Sequence, residues 1–294
     1  MKTMVVLNPA AGKGKAQKMH RAIRNELEKR GVIADYRVSS RKGEIKRFAF
    51  ECVEKGYERL IICGGDGTVH EAIHGLVNTD VALGIIPLGT GNDLSRTLGI
   101  KKDISFACSV IGVGREKRID IARVNEGRYF AGVGALGFDA EVAALAEKFK
   151  RFAPGICIYI LAILAKLLTY SFKRITIRFN SEEYHEEVLL AAFGNSRFYG
   201  GGIQITPQAE MDDGMLDLCL IQRINRLKLL LLLPTVYKGN HIRFSEVNLY
   251  RTRKIVVESN IPLNLYGDGE FVSSTPLLIE VIPQALKVIV PSGT

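Results

Sequence analysis

A chain of 294 residues is long enough for about two domains with substantial cores, and 47% hydrophobic against 24% charged residues excludes a disordered polypeptide. The net charge of +9 calls for an anionic partner, but the basic residues lack interleaved stacking aromatics and no nucleic-acid motif is present. Nucleic acid is therefore not expected, while a polyanionic nucleotide, acidic lipid headgroups and a merely solvated basic face all satisfy the charge.

The first third alternates short apolar runs with helical patterns, the signature of a parallel sheet covered by helices. Strands are expected at Thr3 to Leu7, Ile33 to Val38, Leu60 to Cys63 and Val81 to Pro87, with a basic helix over Lys15 to Arg30. The second helix places Ile45, Phe48, Ala49, Cys52 and Val53 at i, i+3, i+4, i+7 and i+8, and the third repeats that spacing with Val69, Ala72, Ile73, Leu76 and Val77. A short helix follows from about Asp93 to Leu98. From about Arg115 the texture changes to short strands with turn signals. They are expected at Ile119 to Val124, Ile175 to Phe179, Val188 to Phe193, Leu216 to Ile221, Lys254 to Glu258, Leu263 to Tyr266, Leu277 to Val281 and Leu286 to Val290. Helices are expected near Phe138 to Lys150, Pro154 to Tyr170 and Asn225 to Lys238. The pattern predicts an α/β plus β chain: a doubly wound first domain over 1–122, then a mostly antiparallel β domain over 123–284.

Neither the apolar stretch Ile156 to Tyr170, broken by Lys166, nor Leu229 to Leu233 reaches the roughly 20 residues of a membrane span. Cys52, Cys63, Cys108, Cys157 and Cys219 stand singly in apolar surroundings, as buried thiols of a reducing compartment would. With no secretory signal at the start, the cytoplasm is the expected location.

Chemistry concentrates where apolar runs stop at glycines. Ile61-Ile62-Cys63 gives way to Gly64-Gly65-Asp66-Gly67-Thr68 and a helix, and Ile85-Ile86 to Pro87-Leu88-Gly89-Thr90-Gly91-Asn92-Asp93. Glycines let backbone N–H groups approach an anion, the helix N-terminus carries partial positive charge, and a carboxylate can reach a magnesium ion on that anion. Two such loops about 25 residues apart suggest one site seen from adjacent strands. Asp66 and Asp93 are equally placed to cap helices.

Two further motifs invite other readings. His70-Glu71-Ala72-Ile73-His74 matches a zinc-protease pattern, but Ala72 and Ile73 belong to a buried stripe and no third ligand is in view. His70 at the mouth of a phosphate pocket is the preferred reading. Gly132-Val133-Gly134-Ala135-Leu136-Gly137 matches a dinucleotide fingerprint, but the acid expected about 20 residues later is missing, which favours a glycine-rich strand exit near the cleft.

The pair of glycine loops resembles the signature of the diacylglycerol kinase catalytic-domain family, which also holds sphingosine kinases and bacterial lipid kinases. Asn8-Pro9-Ala10-Ala11-Gly12, Asp120 in Ile119-Asp120-Ile121, the stretch Ala209 to Asp217, and Tyr266-Gly267-Asp268-Gly269-Glu270 extend the resemblance over nearly the whole chain. It implies a Rossmann-like nucleotide domain followed by a β-sandwich, with the C-terminal strand over 285–294 returning to the first domain. ATP would be the donor, with Asn8, Pro9, Ala10, Ala11, Gly12, Ser39, Gly64, Gly65, Asp66, Gly67, Thr68, Val69, His70 and Thr90 around it. Ser39 and His70 stand where the family commonly has threonine and asparagine. Asp66 and Asp93 would contact Mg2+ or its waters, Asp120 and Glu270 would face the same cleft from the sandwich side, and Glu270 would accept the proton of a lipid hydroxyl. Glu210, Asp213 and Met215 match a structural magnesium site, although Asp212-Asp213-Gly214 also reads as a plain turn. The implied activity is transfer of the γ-phosphate of ATP to diacylglycerol or a similar lipid at an anionic membrane surface. Phe149 to Tyr170 and Phe198 to Ile203 are candidates for lining the acceptor pocket, or are plain core. An NAD kinase-like transfer to a soluble acceptor and a silent nucleotide-binding regulator are the alternatives. A homodimer is compatible with the chain.

Overall fold

Four parallel strands carry the first third of the chain: β1 (Thr3–Leu7), β2 (Ala34–Val38), β3 (Arg59–Gly64) and β4 (Ala82–Pro87), side by side in the order β4-β3-β1-β2. The computed structural model describes residues 1–12, 14–149, 161–163, 165, 166 and 169–293, with the backbone alone at 15, 17, 143, 144 and 146–149. β1 and β4 are buried throughout, which is why they read as continuous apolar runs rather than as alternating ones. Helices α1 (Lys15–Glu28), α2 (Glu44–Glu54) and α3 (Asp66–Leu76) connect these strands, and α2 buries the expected Ile45, Phe48, Ala49 and Cys52. The short α4 (Asp93–Thr97) precedes α5 (Ile104–Val113), a helix the spacing does not announce because ISFACSVIGV is apolar on nearly every side. Asp103 caps α5 by accepting the Phe106 N–H at 2.7 Å.

The β-rich remainder contains β5 (Arg115–Val124), β6 (Arg128–Phe130), β7 (Val133–Gly137), α6 (Phe138–Phe149), β8 (Lys173–Phe179), β9 (Glu182–Gly194), the small hairpin β10 (Phe198–Tyr199) with β11 (Ile203–Gln204), and β12 (Leu216–Gln222). Then come α7 (Arg226–Val236), β13 (Val247–Thr252), β14 (Lys254–Ser259), β15 (Asn264–Gly267), β16 (Glu270–Ser274) and β17 (Leu277–Val290). The sequence pattern does not reveal β13 and β16, and it divides β17 into two strands. In the structure β17 is continuous and runs antiparallel to β5, with a register shift between Ile282 and Leu286 where Gln284 adopts φ 51°. Its first half pairs with β14, and Val288 pairs in parallel with Leu83 of β4, so both parts of the molecule share one sheet.

Period-two alternation sorts the β-rich part. Leu136, Ala191, Phe193, Leu218 and Leu220 face one core with Phe130 and Leu265, while Val133, Ala135, Leu190, Ala192, Cys219 and Ile221 face another under α7. Leu286, Val288 and Ile289 pack instead with Met4, Ile61 and Leu83 of the parallel part. Cys52, Cys63, Cys108 and Cys219 are buried and unpaired. Cys157 and most of the expected helix Pro154 to Tyr170 lie outside the described residues. Among the described residues no helix is long and apolar enough to cross a membrane.

Candidate active site

The junction of β3 and α3 sets the first half of the site. Gly64 is required there because a side chain on it would come within 2.5 Å of the Thr68 hydroxyl oxygen. At the end of β1, Asn8 donates to Thr68 Oγ1 at 2.9 Å and accepts the Ala10 N–H at 3.0 Å, folding Asn8 to Ala11 into a turn closed by Ala11 N–H to Asn8 C=O. Ser39 is buried against the same strand end, its N–H donating to the Leu7 carbonyl at 2.9 Å. Asn8 thus borders the N-terminal turn of α3, whose first N–H groups have no intrahelical acceptors, while Ala10 and Ala11 are folded onto Asn8 and Ser39 is held at the end of β1. Val69 is turned into the core and offers a nucleotide no side chain.

The second glycine loop lies directly on the first. A side chain on Gly89 would come within 2.5 Å of the Gly65 Cα, so the two backbones touch. Asp66 Oδ2 accepts the Asn92 N–H and Oδ1 the Asp93 N–H, both at 2.7 Å, making the first-loop carboxylate the cap of α4. Asn92, in the left-handed region at φ 52°, closes the loop through Oδ1 on the Gly89 N–H and Nδ2 on the Gly89 carbonyl. Thr90 is exposed at the crest of this loop. Burial pushes the carboxyls of Asp66 and Asp93 above the ordinary range; for Asp93 the neighbouring Asp66 charge adds to it, and backbone donors oppose the rise at both. Asp93 Oδ2 accepts the Gly201 N–H at 2.8 Å from the β10–β11 hairpin, while Oδ1 is buried and without a hydrogen bond.

The β15–β16 turn enters from the other side. Glu270 lies over α3, so that a side chain on Gly67 would come within 3.0 Å of Glu270 Oε1, and Lys42 donates to Glu270 Oε2 at 2.8 Å. Asp268, at φ 53°, accepts the Ala131 and Gly132 N–H groups at 2.9 and 2.8 Å and lies 3.5 Å from His70 Nδ1. Gly132 therefore binds a carboxylate of its own chain, and the fingerprint-like stretch is the interior strand β7 between β15 and β9. The two histidines of the zinc-protease pattern lie against each other, their ring centroids 4.8 Å apart and their planes tilted by 60°. His74 Nδ1 meets the His70 carbonyl at 2.9 Å, Nε2 accepts the Tyr129 N–H, and burial lowers the pKa of the ring. Glu71 accepts the Gly43 N–H at 2.9 Å. These bonds account for the motif without zinc. Asp268, Lys42, Asn92 and Gly201 escape the sequence reading as separate site members. Only the Asp268-Gly269 turn signal and the basic run at Arg41-Lys42 hint at two of them.

One expectation needs correction. The Asp120 carboxylate does not face the cleft: it is fully buried, with Oδ1 accepting the Gln284 N–H and Oδ2 the Gly214 N–H, both at 2.7 Å. It holds the register shift of β17 against the 211–214 turn, a use of the carboxylate that strand alternation does not reveal. At the expected structural magnesium site, the side chains around Glu210, Asp213 and Met215 are engaged within the chain or face solvent. Asp213 Oδ2 pairs with Arg251, Oδ1 accepts the Met215 N–H at 2.9 Å, and Glu210 is exposed. Among the described residues no group of three His, Cys, Asp or Glu side chains converges as a metal site. Nearby Asp217 has a buried Oδ2 without a hydrogen bond, and burial raises its carboxyl to about 6.

With this geometry in place, comparison with known proteins is informative. The profile of the diacylglycerol kinase catalytic domain matches residues 2–124, and that of the YegS C-terminal NAD kinase beta sandwich-like domain matches residues 132–290. The chain belongs to the diacylglycerol kinase and YegS-like lipid kinase family. A Mycobacterium tuberculosis protein named diacylglycerol kinase is 35% identical over 99% of this chain and 95% of its own length. A Klebsiella pneumoniae protein called "Probable lipid kinase YegS-like" is 31% identical over 98% and 96%. In fold, a Bacillus anthracis diacylglycerol kinase structure superimposes with TM-score 0.76 at 23% identity, covering 98% of this chain and 96% of the other. An Archaeoglobus fulgidus NAD kinase solved with ATP superimposes with TM-score 0.55 at 12% identity, over 98% and 93%. Membership in a kinase family implies ATP as the phosphate donor. The two touching glycine loops are the part of this lipid kinase chain suited to hold it.

Proposed function

We propose that this lipid kinase transfers the γ-phosphate of ATP to the hydroxyl of diacylglycerol or a similar lipid at an anionic membrane surface, giving phosphatidic acid or its equivalent. The observation that carries the reading is the meeting of three segments far apart in sequence: Gly65 against Gly89, and Glu270 against Gly67. In phosphoryl transfer the protein chiefly positions reactants and neutralises charge. The N-terminal turn of α3, the Thr68 hydroxyl and the glycine backbones suit a polyphosphate. Glu270 adjoins that turn on a partly exposed edge, where a carboxylate can take the proton of an attacking hydroxyl as the new O–P bond forms and ADP departs. The buried Asp93 Oδ1, without a hydrogen bond and 4.0 Å from the Arg96 guanidinium, is an oxygen donor of the kind a hard cation needs, so Asp93 fits Mg2+ as a holder, with the Asp66 carboxylate, already bound to two backbone N–H groups, adding negative charge beside it. When bound, that ion would neutralise phosphate charge.

The test is transfer from radiolabelled ATP to a panel of lipids in mixed micelles, with NAD as a soluble competitor acceptor. Label should enter a diglyceride-type lipid and fall sharply in Asp66→Asn and Glu270→Gln. Full transfer by both variants overturns the site, and label in NAD alone overturns the acceptor.

A further inference from the structure

Helix α7 has two apolar faces where a surface helix should have one. Asn225 starts it by accepting the Leu227 N–H at 2.8 Å, and Leu229, Leu232 and Val236 point inward onto the core shared with Val133, Cys219 and Ile221. Leu227, Leu230, Leu231, Pro234 and Tyr237 recur at i, i+3, i+4, i+7 and i+10 on the opposite side. There Leu227 is 75% exposed, Leu231 69%, Tyr237 50% and Leu230 42%. This is the densest run of exposed large apolar side chains in the described structure.

The surroundings of this face are basic. Segment 223–245 contains Arg223, Arg226, Lys228, Lys238 and Arg243 and no Asp or Glu. Arg223 and Lys228 pair with Glu187 and Glu246, at 3.2 and 2.6 Å. Arg226, Lys238 and Arg243 are exposed, and none has an ion pair among the described residues. An apolar stripe rimmed by unpaired cations suits an anionic bilayer, whose acyl boundary accepts the leucines while its headgroups accept the cations. A protein partner would need a matching acidic rim; a second copy would bring the same positive charges against these. The face also lies near the chemistry. The Tyr237 carbonyl accepts Gln204 Nε2 at 3.3 Å, Gln204 belongs to the β10–β11 hairpin, and Gly201 of that hairpin donates to Asp93 Oδ2.

We infer that the outer face of α7 is the membrane-docking surface of this kinase. Leu227, Leu230 and Leu231 enter the headgroup–acyl boundary of an anionic leaflet, with Arg226, Lys238 and Arg243 on its headgroups. The inference deepens the lipid-kinase reading and rests on it only for why docking serves turnover.

The experiment uses the full chain and two surface variants, Leu227→Gln with Leu231→Gln, and Arg226→Glu with Lys238→Glu. Each is sedimented with phosphatidylcholine vesicles with and without phosphatidylglycerol. Transfer is measured to a long-chain diglyceride in those vesicles and to a short-chain diglyceride below its micelle concentration. Wild type should sediment with phosphatidylglycerol vesicles, and both variants should lose that binding about tenfold or more. Transfer to the vesicle-borne diglyceride should fall in parallel while transfer to the short-chain one is kept. The charge-reversed variant keeps the test decisive if the leucine variant fails to fold. Binding that depends on α7 without transfer to any diglyceride sustains the docking surface and overturns the diglyceride acceptor of the proposed function. Unchanged vesicle binding in both folded variants overturns the docking surface, as does a wild-type dimer that the leucine variant dissociates while binding vesicles normally.

Discussion

Asp66 places two demands on one carboxylate, capping α4 through two backbone N–H groups and presenting negative charge beside the α3 N-terminus. Asp66→Asn puts an amide donor against one of those N–H groups, so stability should fall by about 1–3 kcal/mol together with turnover. Glu270 differs, because its partner Lys42 is exposed and such a pair contributes only about 0–1 kcal/mol. Glu270→Gln should therefore leave the melting temperature nearly unchanged while kcat falls about 10²- to 10⁴-fold; thermal melts beside initial rates distinguish the two variants. The raised carboxyls of Asp66 and Asp93 also fix two signs. Over the window between the ordinary carboxylate range and the raised values the folded chain binds more protons than the unfolded one. The contribution of these two groups to stability is thus full at low pH and is lost as pH rises through that window. Under the proposed Mg2+ role, which needs them ionised, activity moves the other way, and the acid limb of kcat/KM should lie above the ordinary carboxylate range. A limb at the ordinary position would show that neither ionisation matters to transfer. At this scale the sequence was only partly legible. Asp66, Asp93 and Glu270 stood beside glycines that signal a close approach of backbone, but the sequence did not show that Asp66, Asp120 and Asp268 all bind backbone N–H groups brought from distant segments, because those donors are set by the tertiary fold.

Between elements, the contact of the two glycine loops requires that neither carry a side chain. Gly89→Ala would drive a methyl group to within 2.5 Å of the Gly65 Cα, where only backbone can yield. Overpacking of this kind typically costs about 1–3 kcal/mol. The loops should part, and because α3 and α4 both begin there, KM for ATP should rise about tenfold or more. Urea denaturation and ATP saturation curves check both effects; an unchanged KM would mean that the contact does not shape the nucleotide site. Gly14→Ala is the control for conformation alone, since its left-handed φ of 83° strains the backbone while no atom lies within 4 Å of the added carbon. The elements themselves were legible where apolar residues recur at helical spacing between polar ones, as in α2, which keeps an exposed face, and in α3, which is covered all round. They were not legible where composition hides the pattern: α5 is apolar on nearly every side and so shows no stripe although Ser105 and Val113 are exposed, and β17 was split because Gln284 and its neighbours at the register shift are polar or small.

Across the whole molecule, β17 and β5 make the two parts one folding unit. β17 pairs with β14 among the antiparallel strands and with β4 among the parallel ones, while Leu286 and Val288 sit in the first core and Leu277 and Ile279 in the second. A strand buried in both cores cannot leave one without exposing apolar surface in the other. Unfolding should therefore be a single transition, coincident by far-UV circular dichroism and by tyrosine fluorescence, despite two matching domain profiles. Leu286→Ala, at a fully buried position, should shift that whole transition by about 2–5 kcal/mol rather than split it. A non-hydrolysable ATP analogue held in about hundredfold excess over its Kd should stabilise the same transition by about 2.7 kcal/mol, even though the residues proposed to hold it all lie in the first part. Two resolved transitions, with the analogue moving only one of them, would show that the parallel and antiparallel parts unfold independently and that the shared strand does not couple them.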